Sequence, residues 1–162
     1  MSTIQRARLL ETLINRRDMD ESEPLVSVSL ILRGDRLDPA QVTSMLGIAG
    51  SKMQRKGEKW RTSTNHEVTA KIGLWILNAK MESMVLHDQV SWLRQQLGSA
   101  TCLPLLIPGV EMAEIDVFIA LGSNDHGGGD YESQLTPEDL AWISGLGVPI
   151  CFALTYISGS KE

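Results

Sequence analysis

The sequence predicts an α+β fold: a ferredoxin-like α/β sandwich with a mostly antiparallel sheet, an extra N-terminal helix and a C-terminal helix–strand extension. Three observations predict it. Apolar residues alternate with polar or small ones over Leu25–Arg33, Val68–Ala79, Glu111–Gly122 and Val148–Ile157, the signature of strands. A 3–4 spacing marks helices at Val42–Leu46 and within Ser83–Leu97, at Leu86, Val90, Leu93 and Leu97. The resulting order is helix, then strand–helix–strand–strand–helix–strand, then helix–strand, and its middle is the split βαβ arrangement.

Residues 3–17 read as an amphipathic helix, apolar at Ile4, Ala7, Leu10 or Leu13, and Ile14, with Ser2 and Gln5 placed for a capping box. The acidic run Asp18–Glu23 reads as a solvated linker, so residues 1–23 form a helix with its linker and 24–162 a single domain. In the first strand Val26, Val28, Leu30 and Leu32 share one face. Gly34 turns the chain, Asp38 is placed as N-cap, Pro39 as first helical residue, and Gly47 as the residue that closes the short helix. A basic stretch comes next, with Lys52, Arg55, Lys56 and Lys59 against Glu58, and Gly57 turns the chain into a brief strand at Trp60–Thr62.

Thr64-Asn65-His66 is a turn, and Gly73 inside the long strand 68–79 predicts a bulge or a close backbone approach. Ser83 is placed to cap the helix ending at Gly98, and Leu103–Pro108, broken by prolines, is at best an edge strand. Thr136, Pro137 and Asp139 make a helix start whose buried side is Leu140, Ile143 and Trp142, and Gly145 and Gly147 stop it. The helices are expected over one sheet face, and the N-terminal helix or a partner over part of the other.

Composition bounds the function. The 162 residues are 43% hydrophobic and 22% charged, enough for one real core, and the net charge of −5 disfavours nucleic acid, which needs clustered cations. Cys102 and Cys151 are far apart in apolar surroundings and read as buried free thiols of a reducing compartment, without the paired spacing of a zinc site. No apolar run of about 18 residues and no signal-peptide pattern is present, so no membrane span is expected and the location is expected to be cytoplasmic.

Catalytic signatures are missing. Gly127-Gly128-Gly129 lacks the Gly-Lys-Ser/Thr of a phosphate loop and is flanked by Asp125 and Asp130. A metal reading of Asp125, His126 and Asp130, with Glu132, matches no calcium-loop spacing. Nucleophilic catalysis has only His66, His87 and His126 to draw on, and His87-Asp88 reads as a solvated pair on a helix. Asp116, in a strand, is expected to face water. Trp60, Trp75, Trp92 and Trp142 read as core residues before they read as a ligand pocket. No cofactor and no enzymatic activity are expected.

The stretch Gly34, Leu37, Asp38, Pro39, Val42, Thr43, Leu46, Gly47, then Lys56, Gly57, Glu58 and a later Trp75, resembles a bacterial family known as domain of unknown function 4279. The resemblance is good over residues 25–80 and continues in register from Met112 to Tyr156. Family members carry an acid in the last strand, where this chain reads Phe152-Ala153-Leu154-Thr155-Tyr156. The resemblance implies no established activity; in size it is similar to small bacterial immunity proteins. The expectation is therefore a non-enzymatic protein-binding module, in one form an immunity protein that neutralises a basic toxin domain. The alternative is a small-ligand or nucleotide-binding domain using the basic loop 52–60, and a homo-oligomer is compatible with either. The candidate surface comprises Lys52, Arg55, Lys56, Glu58 and Trp60, with Asp125, His126 and Asp130 from the glycine-rich loop.

Overall fold

In the computed structural model, which describes residues 24–79, 84–98, 103–122 and 131–157, the chain is built around β1 (Leu25–Gly34). After it come α1 (Pro39–Leu46), β2 (Lys52–Gln54), β3 (Lys59–Arg61), β4 (Glu67–Thr69) and β5 (Gly73–Asn78). The chain continues through α2 (Leu86–Leu97), a 3₁₀ turn at Pro104–Leu106, β6 (Met112–Gly122), α3 (Pro137–Gly145) and β7 (Ile150–Ile157). Five strands form one sheet in the order β2-β5-β1-β6-β7, and β3 and β4 form a separate two-stranded ribbon. β1 runs antiparallel to both β5 and β6, and β5 antiparallel to β2, which is the split arrangement the sequence predicts. β7 runs parallel to β6, because the connection through α3 returns the chain to the same end of the sheet.

The two faces of the sheet differ. On one, Val28, Leu30 and Leu32 of β1 pack with Trp75, Ile115 and Val117, under Val42 and Leu46 of α1, Val90 and Leu93 of α2, and Ile143 of α3. Each such side chain stabilises the fold by about 1.5–3 kcal/mol through burial. The other face carries two smaller apolar groups, Ile31 with Leu74 and Ile76, and Phe118 with Ala120 and Ala153. Between them runs a polar row in register across four strands: Asn78, Ser29, Asp116, Cys151. The Ser29 hydroxyl donates to Asn78 Oδ1 at 2.9 Å. Asp116 does not face water; it is 3% exposed.

Several boundaries differ from expectation for identifiable reasons. The sheet takes Lys52–Gln54 as its edge strand; of the expected strand Trp60–Thr62, Trp60 and Arg61 join Lys59 in the ribbon with β4. The expected strand 68–79 is two strands in two sheets, interrupted at residues 70–72. Gly73 then marks a close approach: a β-carbon there would lie 2.7 Å from the Gly34 carbonyl oxygen. Leu103–Pro108 contributes a 3₁₀ turn, since two prolines leave no ladder to build. Leu140 is exposed, whereas Ile143 is buried and Trp142 packs against the core. Ser83 lies outside the described residues, as do the N-terminal helix and linker; α2 begins at Leu86, whose N–H donates to the distant Ser133 hydroxyl at 3.1 Å.

The helix ends at α1 and α3 agree with the sequence. Asp38 Oδ1 accepts from the Ala40 N–H at 3.0 Å, Pro39 takes the first position, and Gly47 closes the helix at φ 71°. Thr136 and Asp139 form a reciprocal capping box.

α2 is fastened to β1 by a buried amide. Gln89 Oε1 accepts from the Val28 N–H at 2.8 Å and its Nε2 donates to the Val26 carbonyl at 2.9 Å. β5 pairs with β1 only as far as Ser29, so the Gln89 side chain supplies the ladder bonds that β5 does not reach. Gln89→Leu keeps the volume and orphans both groups, and we expect a loss of about 2–4 kcal/mol in urea unfolding; a loss below about 0.5 kcal/mol would show that water replaces the amide.

α2 is tied to α3 by a second polar contact. Asp139, fully buried, accepts at Oδ2 from His87 Nδ1 at 2.6 Å and from the Thr136 N–H at 3.0 Å. Burial pushes this carboxyl up, but the bonds from His87 and Thr136 outweigh it and hold it below the usual carboxylate value. A folded value below the unfolded one means stability present above the unfolded pKa and lost as pH falls through the folded one. Urea unfolding of wild type from about pH 6 to about pH 2 should therefore lose stability on the acid side, and Asp139→Asn should flatten part of that limb. Superimposable acid limbs would show that Asp139 plays no part in it.

Candidate functional site

The residues of the family-like stretch converge on one corner of the molecule, where α1 meets β2 and the turn after it. There Pro39, Ala40, Thr43, Met53, Gln54, Arg55 and Glu58 line an open groove of about 790 Å³. Thr43, one of the lining residues, is fixed by the core: its Oγ1 accepts from the indole N–H of the fully buried Trp75 at 3.2 Å. The rim is a tight turn at Arg55–Glu58 in which Gly57 has φ 84°, a conformation that suits glycine. Glu58 folds back on the turn, its Oε2 accepting from the Arg55 N–H at 2.9 Å.

The electrostatics of this corner are largely internal. The Arg55 guanidinium donates twice to Asp38 Oδ1, at 2.7 and 3.2 Å. Lys56 pairs with Asp35, and Lys59 with Glu67 at 2.9 Å. The Arg55 bond, then the Ala40 N–H, holds Asp38 below the usual carboxylate range, and Asp38 in turn raises Arg55. The stretch that reads as basic in sequence is thus matched by acids from the β1–α1 loop and from β4. Lys52 sits exposed on the edge strand β2, and Trp60, half-buried, faces Val68 across the ribbon rather than the groove. Asp125, His126 and Asp130 lie outside the described residues.

Other candidate chemistry is also accounted for. The thiol of Cys151 is half-buried and donates to Glu114 Oε2 at 3.6 Å; burial first, then the Glu114 charge, pushes its pKa up, so it stays protonated. Glu114 itself is held by Arg33 at 2.6 Å. Cys102 lies outside the described residues. His87 is not simply half of a solvated pair with its neighbour Asp88: its side chain is partly exposed, and its Nδ1 bonds to Asp139, 52 positions away. No group of three or more His, Cys, Asp or Glu among the described residues is placed to hold a metal ion, and no described helix is long and apolar enough to cross a membrane. A second cleft, about 430 Å³, lies at the C-terminal ends of the helices, walled by Leu46, Leu97, Leu146 and Trp142 with Arg94 at its side.

The feature that sequence reasoning missed is the position of β7, predicted as a strand, at the open edge of the sheet. Phe152, Leu154 and Tyr156 are 51%, 62% and 69% exposed on it. They share the face of Val117, Ile119 and Leu121, beyond the cover of the helices. The Pro149 carbonyl accepts from Ile115 on the β6 side at 2.9 Å. Backbone groups alternate along a strand, so those of Ile150, Phe152, Leu154 and Tyr156 point outward, with no partner among the described residues. Alternation in the sequence was visible, but which strand ends the sheet was not.

Asp38 carries both a helix cap and an ion pair, and the two separate by mutation. Asp38→Ala should lower Tm by roughly a few degrees through loss of the cap, whereas Arg55→Ala, which breaks only a solvent-screened pair, should move it much less. Equal shifts would mean the pair, not the cap, holds the corner.

Comparison with known proteins agrees with the sequence pattern. A family model described as Domain of unknown function (DUF4279) matches residues 24–156. Neither the curated proteins nor the solved structures yield a match. The match spans β1 to β7, including the whole corner just described, and the chain belongs to the DUF4279 family.

Proposed function

We propose that this protein is a non-enzymatic binding module, working in the bacterial cytoplasm, that engages another protein along the β7 edge. The observation that supports this reading is the coincidence, on the same residues, of exposed large apolar side chains and outward backbone groups. Phe152 and Tyr156 are aromatic residues of the kind enriched at the cores of interfaces, and Leu154 lies between them on the same face. In the form the sequence favours, the partner is a basic toxin domain and this chain its immunity protein; a net charge of −5 speeds encounter with such a partner.

A small ligand in the groove of α1 and β2 is the second reading, supported by the size of that groove. The ion pairs of Arg55 with Asp38 and Lys56 with Asp35 weigh against an anionic ligand, which must first displace a carboxylate.

The test is co-purification with the products of adjacent genes, then calorimetry on any stoichiometric complex. Leu154→Ala and Tyr156→Ala should each weaken the complex roughly tenfold or more. A complex indifferent to both variants would move the site away from β7, and an association rate flat from low to high salt would remove the steering role of charge.

A further inference from the structure

The two edges of the sheet are managed differently. At one, β2 has only three residues, Lys52 and Gln54 flanking an exposed Met53, and so short a strand with a lysine on it discourages pairing. At the other, β7 has eight residues, and Val148–Ile157 contains no charged residue, with its one proline before the strand begins. An edge without such protection needs a cover whenever the chain is folded, and the one molecule always present is another copy of the chain.

We propose that in the free protein the β7 edge is occupied by a second copy of this chain, the two β7 strands pairing antiparallel about a two-fold axis through Ala153. This rests on the reading of β7 as the binding edge and names its resting occupant.

The backbone sets the register. With the axis at Ala153, Phe152 faces Leu154 of the second copy and Ile150 faces its Tyr156. These are the residues whose N–H and C=O groups point outward. In an antiparallel ladder each such pair exchanges two hydrogen bonds, so every outward group from Ile150 to Tyr156 is satisfied. Sliding the strands by two positions leaves a pair unmatched at each end, and sliding by one sets outward groups against inward ones. The side chains agree with the backbone: Phe152 and Leu154, both more than half exposed, come together on the face of Val117 and Ile119 and extend that core across the axis. Charge permits the contact: the chain carries −5, but none of it lies on this strand, so two copies meet here without like charges face to face. A foreign partner would then have to displace the second copy, and its apparent affinity would fall as the concentration of this protein rises.

The experiment is sedimentation and light scattering of the full chain from about 1 μM to about 1 mM. Wild type should show a monomer–dimer equilibrium. Phe152→Lys with Leu154→Lys places like charges directly opposite one another in this register and should give monomer throughout, as should Phe152→Glu with Leu154→Glu. An equimolar mixture of the two variants should recover the dimer, which also shows that both remain folded. A monomeric wild type, a dimer that survives either double variant, or a mixture that stays monomeric would each overturn the proposal. If wild type is monomeric yet a foreign partner still binds through Leu154 and Tyr156, the second copy is excluded and the protein-binding reading stands.

Discussion

Where β1 ends, three stretches of backbone approach more closely than side chains allow. A β-carbon on Gly34 would overlap the Gly109 carbonyl oxygen, and one on Gly109 would overlap the Arg36 carbonyl. One on Gly73 would press on Gly34 and Leu37 at once. This crossing aligns β5 and β6 on either side of β1, with Gly34 opposite Gly73, and the Arg33 carbonyl accepting from the Glu111 N–H at 2.8 Å. It also launches α1, since the Leu37 N–H turns back to donate to the Gly34 carbonyl at 3.3 Å and Asp38 caps the helix that begins at Pro39. A strand displaced by one residue here would send its apolar set to the wrong face, so the crossing fixes which residues form the core.

Local chemistry explains what the sequence reveals and what it conceals. The capping of α1 by Asp38 and Pro39, its closure at Gly47, the box of Thr136 and Asp139, and the turn around Asn65 all depend on residues a few positions apart, and all were legible. The order of the long strands and of the helices between Leu25 and Ile157 was legible too, because period and punctuation carry it, but the short edge strand Lys52–Gln54 was not. Contacts across the chain were not. Gln89 looks like a polar helix residue until β5 is seen to stop short of Val28, and His87 looks solvent-paired until α3 brings Asp139 beneath it. The ribbon of β3 and β4 was hidden because one apolar run serves two sheets in succession. The loop residues Asp125, His126 and Asp130 remain a candidate on composition alone.

The family pattern can now be read as physics. Leu37, Val42 and Leu46 enter the core, Thr43 receives the Trp75 indole, and Gly47 and Gly57 take left-handed turns. Lys56 and Glu58 stitch the rim, Lys56 to Asp35 and Glu58 to the Arg55 backbone. Each of these residues is committed to holding a corner of the scaffold. The exposed ion pairs among them add little stability individually, since solvent and salt screen them, yet they leave the corner nearly neutral. A pattern of this kind identifies a fold and places no demand on what the fold binds.

That shifts attention to surface the scaffold does not consume. In the βαββαβ unit alone, β6 would end the sheet, and its outward residues are the apolar Ile115, Val117, Ile119 and Leu121. Adding α3 and β7 buries that set and transfers the open edge to a strand on which Ile150 still packs against the core but Phe152, Leu154 and Tyr156 are more than half exposed. The added strand therefore moves the edge without abolishing it. A strand with alternating exposed Phe, Leu and Tyr would be a liability in a chain that met no partner, because free backbone and apolar surface together invite unspecific pairing. Burial of these side chains against a specific second strand would resolve that liability, and this is what sets β7 ahead of the groove in the binding reading proposed above.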